Sequence, residues 1–131
     1  MKQMVENHAY DAESDVLDVY FDAIRPAWTI EITDNIMLSI DRQTGQAVAL
    51  SFMDFTQLIR PTLLGPQSFP LTGLADLPLA ERNLVIQVLT TPPVSEWLDI
   101  SMVQHLPDSP FAVAHLEKPP PGVLDLISVA A

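Results

Sequence analysis

Hydrophobic and polar residues alternate through most of the first sixty positions of the chain. Four segments place apolar side chains at every second position, and they are Leu17-Val19-Phe21, Trp28-Ile30-Ile32, Ile36-Leu38-Ile40 and Val48-Leu50-Phe52. A period of two, with β-branched and aromatic residues, is typical of strands that bury one face. The pattern predicts an N-terminal antiparallel β-meander of about four strands, followed by a short helix or turn at Asp54–Ile59. An earlier strand is expected at Val5–Tyr10.

The loops between these segments predict the strand register. Residues that pair across an antiparallel ladder point to the same face, so apolar residues should meet apolar residues. This leaves two predicted loops of three residues. In Thr33-Asp34-Asn35, Asn35 can adopt the left-handed conformation, and in Gln43-Thr44-Gly45, Gly45 can supply a positive φ. The rule gives four pairs, which are Ile32 with Ile36, Ile30 with Leu38, Trp28 with Ile40, and Ile40 with Val48.

Proline divides the chain at Arg60-Pro61. Residues 1–60 contain one proline, whereas residues 61–131 contain eleven. Proline cannot donate to a sheet ladder, so the second half must consist of shorter elements. We therefore predict one α+β domain over residues 1–131, in which a β-meander at 1–60 packs against helices from a proline-rich, mainly helical portion at 61–131.

A helix is predicted at Leu79–Leu89. Asp76 is placed to cap it, Pro78 suits its first turn, and Glu81 carries a negative charge near its positive end. The segment Thr91-Pro92-Pro93 should end this helix.

The residues after Pro93 allow two interpretations. A second helix can start through Val94 and Trp97 and continue over Ile100–Leu106. Alternatively, Ile100–Leu106 pairs as a strand with Phe111–Leu116, which would give a hairpin at residues 100–116. The apolar tail Val123–Val129 is expected to pack as helix or strand.

Composition narrows the classes of function. The formal net charge is −11 with only six Lys and Arg, so a phosphate backbone or an anionic membrane surface would be repelled. The chain has no cysteine, which excludes disulfides, thiol nucleophiles and thiolate metal sites. No apolar run is long enough to cross a bilayer, and the N-terminus lacks the pattern of a secretory signal. A cytoplasmic protein without nucleic-acid or membrane partners is expected.

One stretch of sequence resembles a known bacterial family. It begins with Tyr10-Asp11-Ala12-Glu13-Ser14-Asp15-Val16-Leu17, and Ile30-Glu31-Ile32, Asp34-Asn35-Ile36 and Ile40-Asp41 with Gly45 follow. Over about residues 5–58 the series resembles the uncharacterised family called domain of unknown function 2283. The chain departs from that family at Ala49-Leu50-Ser51, where Gly-Ile-Glu is common. The resemblance implies a compact meander with a helix and a regulatory or partner-binding role, but no catalytic residue or cofactor.

Two sets of residues are candidate metal ligands. Asp11, Glu13 and Asp15 alternate as in a calcium loop, but the sixth position is Val16 rather than glycine, so a turn with local hydrogen bonds explains them better. His105 and His115 would face each other in a hairpin at 100–116, but no third ligand has suitable spacing. No catalytic or cofactor-binding residue is predicted.

These observations favour a non-enzymatic protein-interaction or regulatory module. A homodimer is expected because a small sheet has edges that need protection, and a basic protein partner would suit the acidic surface. The alternative is a small-molecule-binding or enzymatic domain, with a pocket between the two halves and polar groups such as Arg82, His105 or His115.

Overall fold

The computed structural model describes residues 2–5, 8–23, 25–60, 63, 67–106 and 109–116. They form nine strands, which are β1 (Lys2–Val5), β2 (His8–Asp11), β3 (Val16–Tyr20), β4 (Trp28–Thr33), β5 (Ile36–Ile40), β6 (Ala47–Met53), β7 (Ser68–Pro70), β8 (Leu98–Leu106) and β9 (Ser109–Leu116). Two α-helices, α1 (Phe55–Leu58) and α2 (Leu79–Leu89), and two short 3-10 helices, Thr72–Leu74 and Val94–Glu96, complete the described fold.

The strands form two antiparallel sheets. The larger has six strands in the order β1-β2-β3-β6-β5-β4, and the smaller has three in the order β7-β9-β8. The antiparallel sheet predicted for the first half is confirmed, but its order is not that of a simple meander, because β3 pairs with β6 rather than with β4. Residues 21–27 separate β3 from β4 and include Pro26, so the chain crosses to the far edge instead of making a tight hairpin.

The predicted first strand is divided between two elements. Val5 ends β1 and pairs with His8, the first residue of β2, so the chain reverses direction between them. The strand predicted through Leu17, Val19 and Phe21 is confirmed to within one residue, since β3 ends at Tyr20, and the short helix predicted at Asp54–Ile59 is α1.

The strand register agrees with the predicted pairing of apolar residues with apolar residues, except at two bulges. Trp28 pairs with Ile40 and Ile30 with Leu38, as predicted. Two other pairs are wrong by one residue, because bulges set Thr33 opposite Ile36 and Ala47 opposite Ile40.

The two loop predictions have different outcomes. Gly45 has φ of 72°, as its turn requires. Asn35 does not take the left-handed conformation, which is adopted instead by Asp15 and Asp54 with φ of 55° and 54°. Asparagine and aspartate tolerate this region better than other residues with a side chain, so the sequence left several positions open to it.

The helical second half is not confirmed. Leu79–Leu89 is a helix with the predicted bounds, but its N-cap is Pro78, and Asp76 makes no capping hydrogen bond. The second helix is reduced to the 3-10 helix Val94–Glu96, and the chain then continues as β8, which pairs with β9. Leu98–Leu106 lacks proline, so nothing prevents it from joining a ladder, and the hairpin alternative is the correct one. Val123–Val129 lies outside the described residues.

One core joins the two halves. The inward face of the large sheet buries Leu17, Leu38, Leu50 and Phe52 completely, and α2 packs against it through buried residues such as Val85 and Leu89. Trp97, which immediately precedes β8, contacts the rings of His8 and Phe52, with ring centroids 4.8 Å and 6.2 Å away. The second half therefore covers the apolar face that the first half presents.

Candidate functional site

The acidic turn between β2 and β3 serves the fold. Asp15 accepts hydrogen bonds from the Tyr10 hydroxyl at 2.7 Å and from the Thr56 hydroxyl at 2.6 Å, and the Thr56 amide also donates to it. Asp11 accepts a hydrogen bond from the Glu13 amide at 3.1 Å. The two carboxylates therefore point to different partners: Asp15 to the start of α1 and Asp11 to its own turn.

Ionisation in this turn follows from those contacts. Desolvation raises the pKa of Asp15, but hydrogen bonds from Thr56 and Tyr10 outweigh it and hold the pKa below its usual value. Burial raises the pKa of Tyr10 to about 12, and the hydrogen bond to Asp15 and its negative charge add to the effect. Desolvation also raises the pKa of Asp11, but hydrogen bonds from Ser14 and the Glu13 amide lower it by more, so the pKa of Asp11 is below its usual value. Asp15 therefore stays charged and Tyr10 neutral at physiological pH.

The histidine candidates lie at different places in the small sheet. His115 pairs with Asp99 on one side and with Ser68 on the other. His105 falls within the bulge between Gln104 and Leu106, near the other end of β8. The hairpin therefore forms in a register that does not set the two histidines opposite each other. In the part of the chain whose side chains are described, no group of three or more His, Asp or Glu could hold a metal ion.

Arg82 is engaged by the main chain before α2. Its guanidinium donates to the carbonyl oxygens of Leu74, Ala75 and Leu77 at 3.0–3.2 Å. These bonds tie the helix to the turn that precedes it, so the donors that a pocket would need are used by the fold.

Arg25 and Arg42 lie together at one corner of the large sheet. Arg25 donates to Asp22 and Asp41, both at 2.7 Å, and the guanidinium of Arg42 lies 4.4 Å from the ring centroid of Trp28. Arg25 lowers the pKa of both carboxyl groups, as the main cause in each case. An open cavity of about 570 Å³ lies beside these residues. Because Arg25 is matched by two carboxylates and Arg42 lies 4.0 Å from the carboxylate of Glu81, the corner presents little unpaired positive charge.

A smaller cavity lies between the two halves. Its volume is about 310 Å³, and it is lined by Phe21, Asp22, Gly45, Gln46, Ala47, Val88, Thr91, Pro92 and Pro93. Its lining includes three polar side chains, of which Asp22 is bonded to Arg25 and Thr91 donates to the carbonyl oxygen of Gln87. The cavity therefore offers few polar groups that could orient a ligand.

The strand edges are the remaining candidates for binding. An open edge presents main-chain N–H and C=O groups to any extended chain, and proteins protect such edges with short strands, Pro, Lys, bulges or a covering segment. β1 has four residues and begins with Lys2, and β7 has three and ends with Pro70. β4 is bulged between Glu31 and Thr33, and the backbone at Gly73 lies directly against Glu31.

The fourth edge, β8, carries less protection. It is the longest described strand, with nine residues, and contains no Pro, Lys or Arg. Its bulge is confined to its last three residues, between Gln104 and Leu106. Leu98 is buried and Ile100 packs against the core, whereas Asp99 and Ser101 are exposed. Within the described residues β8 pairs only with β9, so an anchored strand keeps one side of its main chain open.

Comparison with protein-family models, with curated proteins and with solved structures gave no match to this chain. No helix among the described residues is long and apolar enough to cross a membrane. The resemblance to domain of unknown function 2283 stays a prediction.

Proposed function

We propose that this chain is a non-enzymatic protein-interaction module that binds an extended segment along the open edge of β8. The observation that carries the proposal is the length and lack of protection of this edge, compared with the other three. In strand addition the main-chain hydrogen bonds supply affinity, and alternate side chains supply specificity. Asp99 and Ser101 occupy the exposed face of β8 and would contact the side chains of the added strand.

The anchoring of β8 supports this role. Strand addition is favoured when the receiving strand is already ordered, because less conformational entropy is lost on binding. Leu98 is 1% exposed and follows Trp97, which packs between His8 and Phe52. The start of the edge is therefore held by the core.

The pocket alternative has one observation in its favour, the cavity between the halves. Its volume of about 310 Å³ is at the lower limit of ligand pockets, and Arg82 donates to main-chain carbonyls elsewhere. The strand edge is therefore the better-supported site.

Two adjacent proline substitutions, Ser101→Pro and Met102→Pro, test the proposal. The N–H groups of successive residues in a strand point alternately to the two sides, so one proline removes a donor of the open edge and the other a donor to β9. The melting temperatures of the two variants show which proline removes which donor, because only the loss of a hydrogen bond to β9 should destabilise the hairpin strongly. The variant with the smaller loss of melting temperature is the edge variant.

The wild-type chain and the edge variant then serve as baits for affinity capture from the native host. We expect partners that wild type retains and the edge variant loses, because strand addition needs the removed donor. Retention of the same partners by both baits would contradict binding at β8. The other proline variant controls for partners that only recognise an unfolded hairpin.

A further inference from the structure

The open edge of β8 also fits a second copy of this chain. We propose that two copies pair antiparallel through β8, with Met102 of each copy opposite Met102 of the other. The inference rests on the proposed function, since it names the occupant of the edge described there. The result would be one continuous sheet in the order β7-β9-β8-β8-β9-β7.

Symmetry restricts the possible registers. In a two-fold dimer the same surface is used by both copies, and an antiparallel ladder between identical strands must place one residue opposite itself. Met102 is the midpoint of Leu98–Leu106, so a dimer centred there gives the longest overlap of the two strands, with the bulge between Gln104 and Leu106 at each end. Any other centre leaves edge groups of the strand unpaired.

The charges along β8 favour the same centre. Asp99 and His105 are the only acidic residue and the only histidine of the strand, and each lies three positions from Met102. With Met102 on the axis, Asp99 of each copy takes the register position opposite the bulge between Gln104 and Leu106 of the other copy, and this bulge contains His105. Acidic and basic residues at opposed positions stabilise a strand pair, whereas like charges destabilise it. A dimer centred on Ser101 would instead place Asp99 opposite Val103.

The overall acidity does not oppose this arrangement at the edge itself. β8 carries one of the seventeen acidic residues of the chain. At physiological ionic strength, charges more than about 8 Å apart are largely screened, so repulsion between the remaining acids acts weakly across the interface.

The absence of cysteine from the chain makes the register testable with single cysteine substitutions. In Met102→Cys the two residues would face each other across the axis at about 5 Å between Cα atoms, which suits a disulfide. In Ser101→Cys they would be about 8 Å apart, which is too far for a disulfide. Thr29→Cys, at an exposed position of β4, controls for random collisions.

The experiment combines light scattering of the wild-type chain over a range of concentrations with mild oxidation of the three variants. We expect the wild-type chain to form a reversible dimer. The crosslink should form at least 10-fold faster for Met102→Cys than for Ser101→Cys or Thr29→Cys. In the edge-proline variant the dimer affinity should be at least about 10-fold weaker, since each copy loses a hydrogen bond. A wild-type chain that stays monomeric, equal crosslinking rates, or a dimer that survives the edge proline would each overturn the inference. If a monomeric chain still captures a partner through the edge, the proposed function stands and only the second copy is wrong.

Discussion

At the scale of single residues, the conformation of Asp15 decides how the acidic turn is used. Its φ of 55° is in the left-handed region and directs the carboxylate toward α1, where Thr56 and Tyr10 donate to it. Asp15 is a candidate calcium ligand in the sequence, but in the structure it links the β2–β3 turn to the helix that follows β6.

The pKa of Tyr10 gives a prediction about alkaline pH. Because folding raises this pKa from about 10 to about 12, the neutral phenol stabilises the fold below pH 10, and that contribution is lost as pH rises from about 10 to about 12. The Tyr10→Phe variant should therefore lose less stability than wild type across this window. Denaturant unfolding at a series of alkaline pH values measures the difference.

A direct titration provides the control for that experiment. The chain has two tyrosines, so in Tyr20→Phe the absorbance of phenolate reports Tyr10 alone. We expect its midpoint well above that of free tyrosine. A midpoint at the ordinary value would contradict both the burial of Tyr10 and its hydrogen bond to Asp15.

At the scale of elements, protection of β4 depends on the 3-10 helix Thr72–Leu74. This helix packs against β4, and Gly73 approaches the backbone of Glu31 and Ile32 so closely that a Cβ would overlap the carbonyl oxygen of Glu31. Only glycine allows this approach, so the helix covers a strand edge that would otherwise be open.

We predict that Gly73→Ala displaces this helix from β4. The overlap is with backbone rather than with a flexible side chain, so the expected loss in the free energy of unfolding is about 2–3 kcal/mol. Gly45→Ala is the matched comparison, because its Cβ would have room but its φ of 72° should cost about 1 kcal/mol. Chemical denaturation measures both. If Gly73→Ala costs no more than Gly45→Ala, the close approach to Glu31 is wrong.

At the scale of the whole molecule, the two sheets share one core. Buried residues from the large sheet, α2 and the small sheet belong to a single apolar cluster, which includes Leu50, Val85 and Ala114. If either half of the chain unfolded alone, the apolar residues that the other half contributes to the cluster would be exposed to water. This favours cooperative unfolding of the two halves.

We therefore predict that the chain unfolds in one transition. The two tryptophans report separate regions, since Trp28 lies on edge strand β4 and Trp97 between the sheets. The fluorescence of Trp28→Phe should follow Trp97, and that of Trp97→Phe should follow Trp28. Each variant should show the same midpoint by fluorescence and by far-ultraviolet circular dichroism. Midpoints that differ between the two probes within one variant would indicate two separately folding units.

The predictability of the fold depended on the range of the interactions involved. Pairs such as Ile30 with Leu38, and the bounds of α2, follow from local periodicity and turn length, which the sequence displays directly. The pairing of β3 with β6 joins residues 29 to 37 positions apart, for example Leu17 with Phe52, and no local pattern distinguishes it from a simple meander.

The candidate site was harder to predict than the fold. The sequence identifies a proline-free segment at Ile100–Leu106 but allows helix or strand there. Only pairing with β9 makes it a strand, and only its position at the end of the sheet order leaves one side open. The sequence feature that could have identified this edge is the absence of protecting residues, since β8 lacks the Pro and Lys found at other edges.

The sequence by itself determined most of the apolar side chains that are buried in the first half, where the proline-rich portion begins, and that the chain is acidic and lacks cysteine. These properties depend on residue type and on spacing of a few positions. The tertiary structure decided the strand order, the partners of Asp15 and Arg82, and which strand has an open edge. Each of these depends on contacts between residues far apart in the chain, and the free energy of such contacts is set by packing of the whole core rather than by any local pattern.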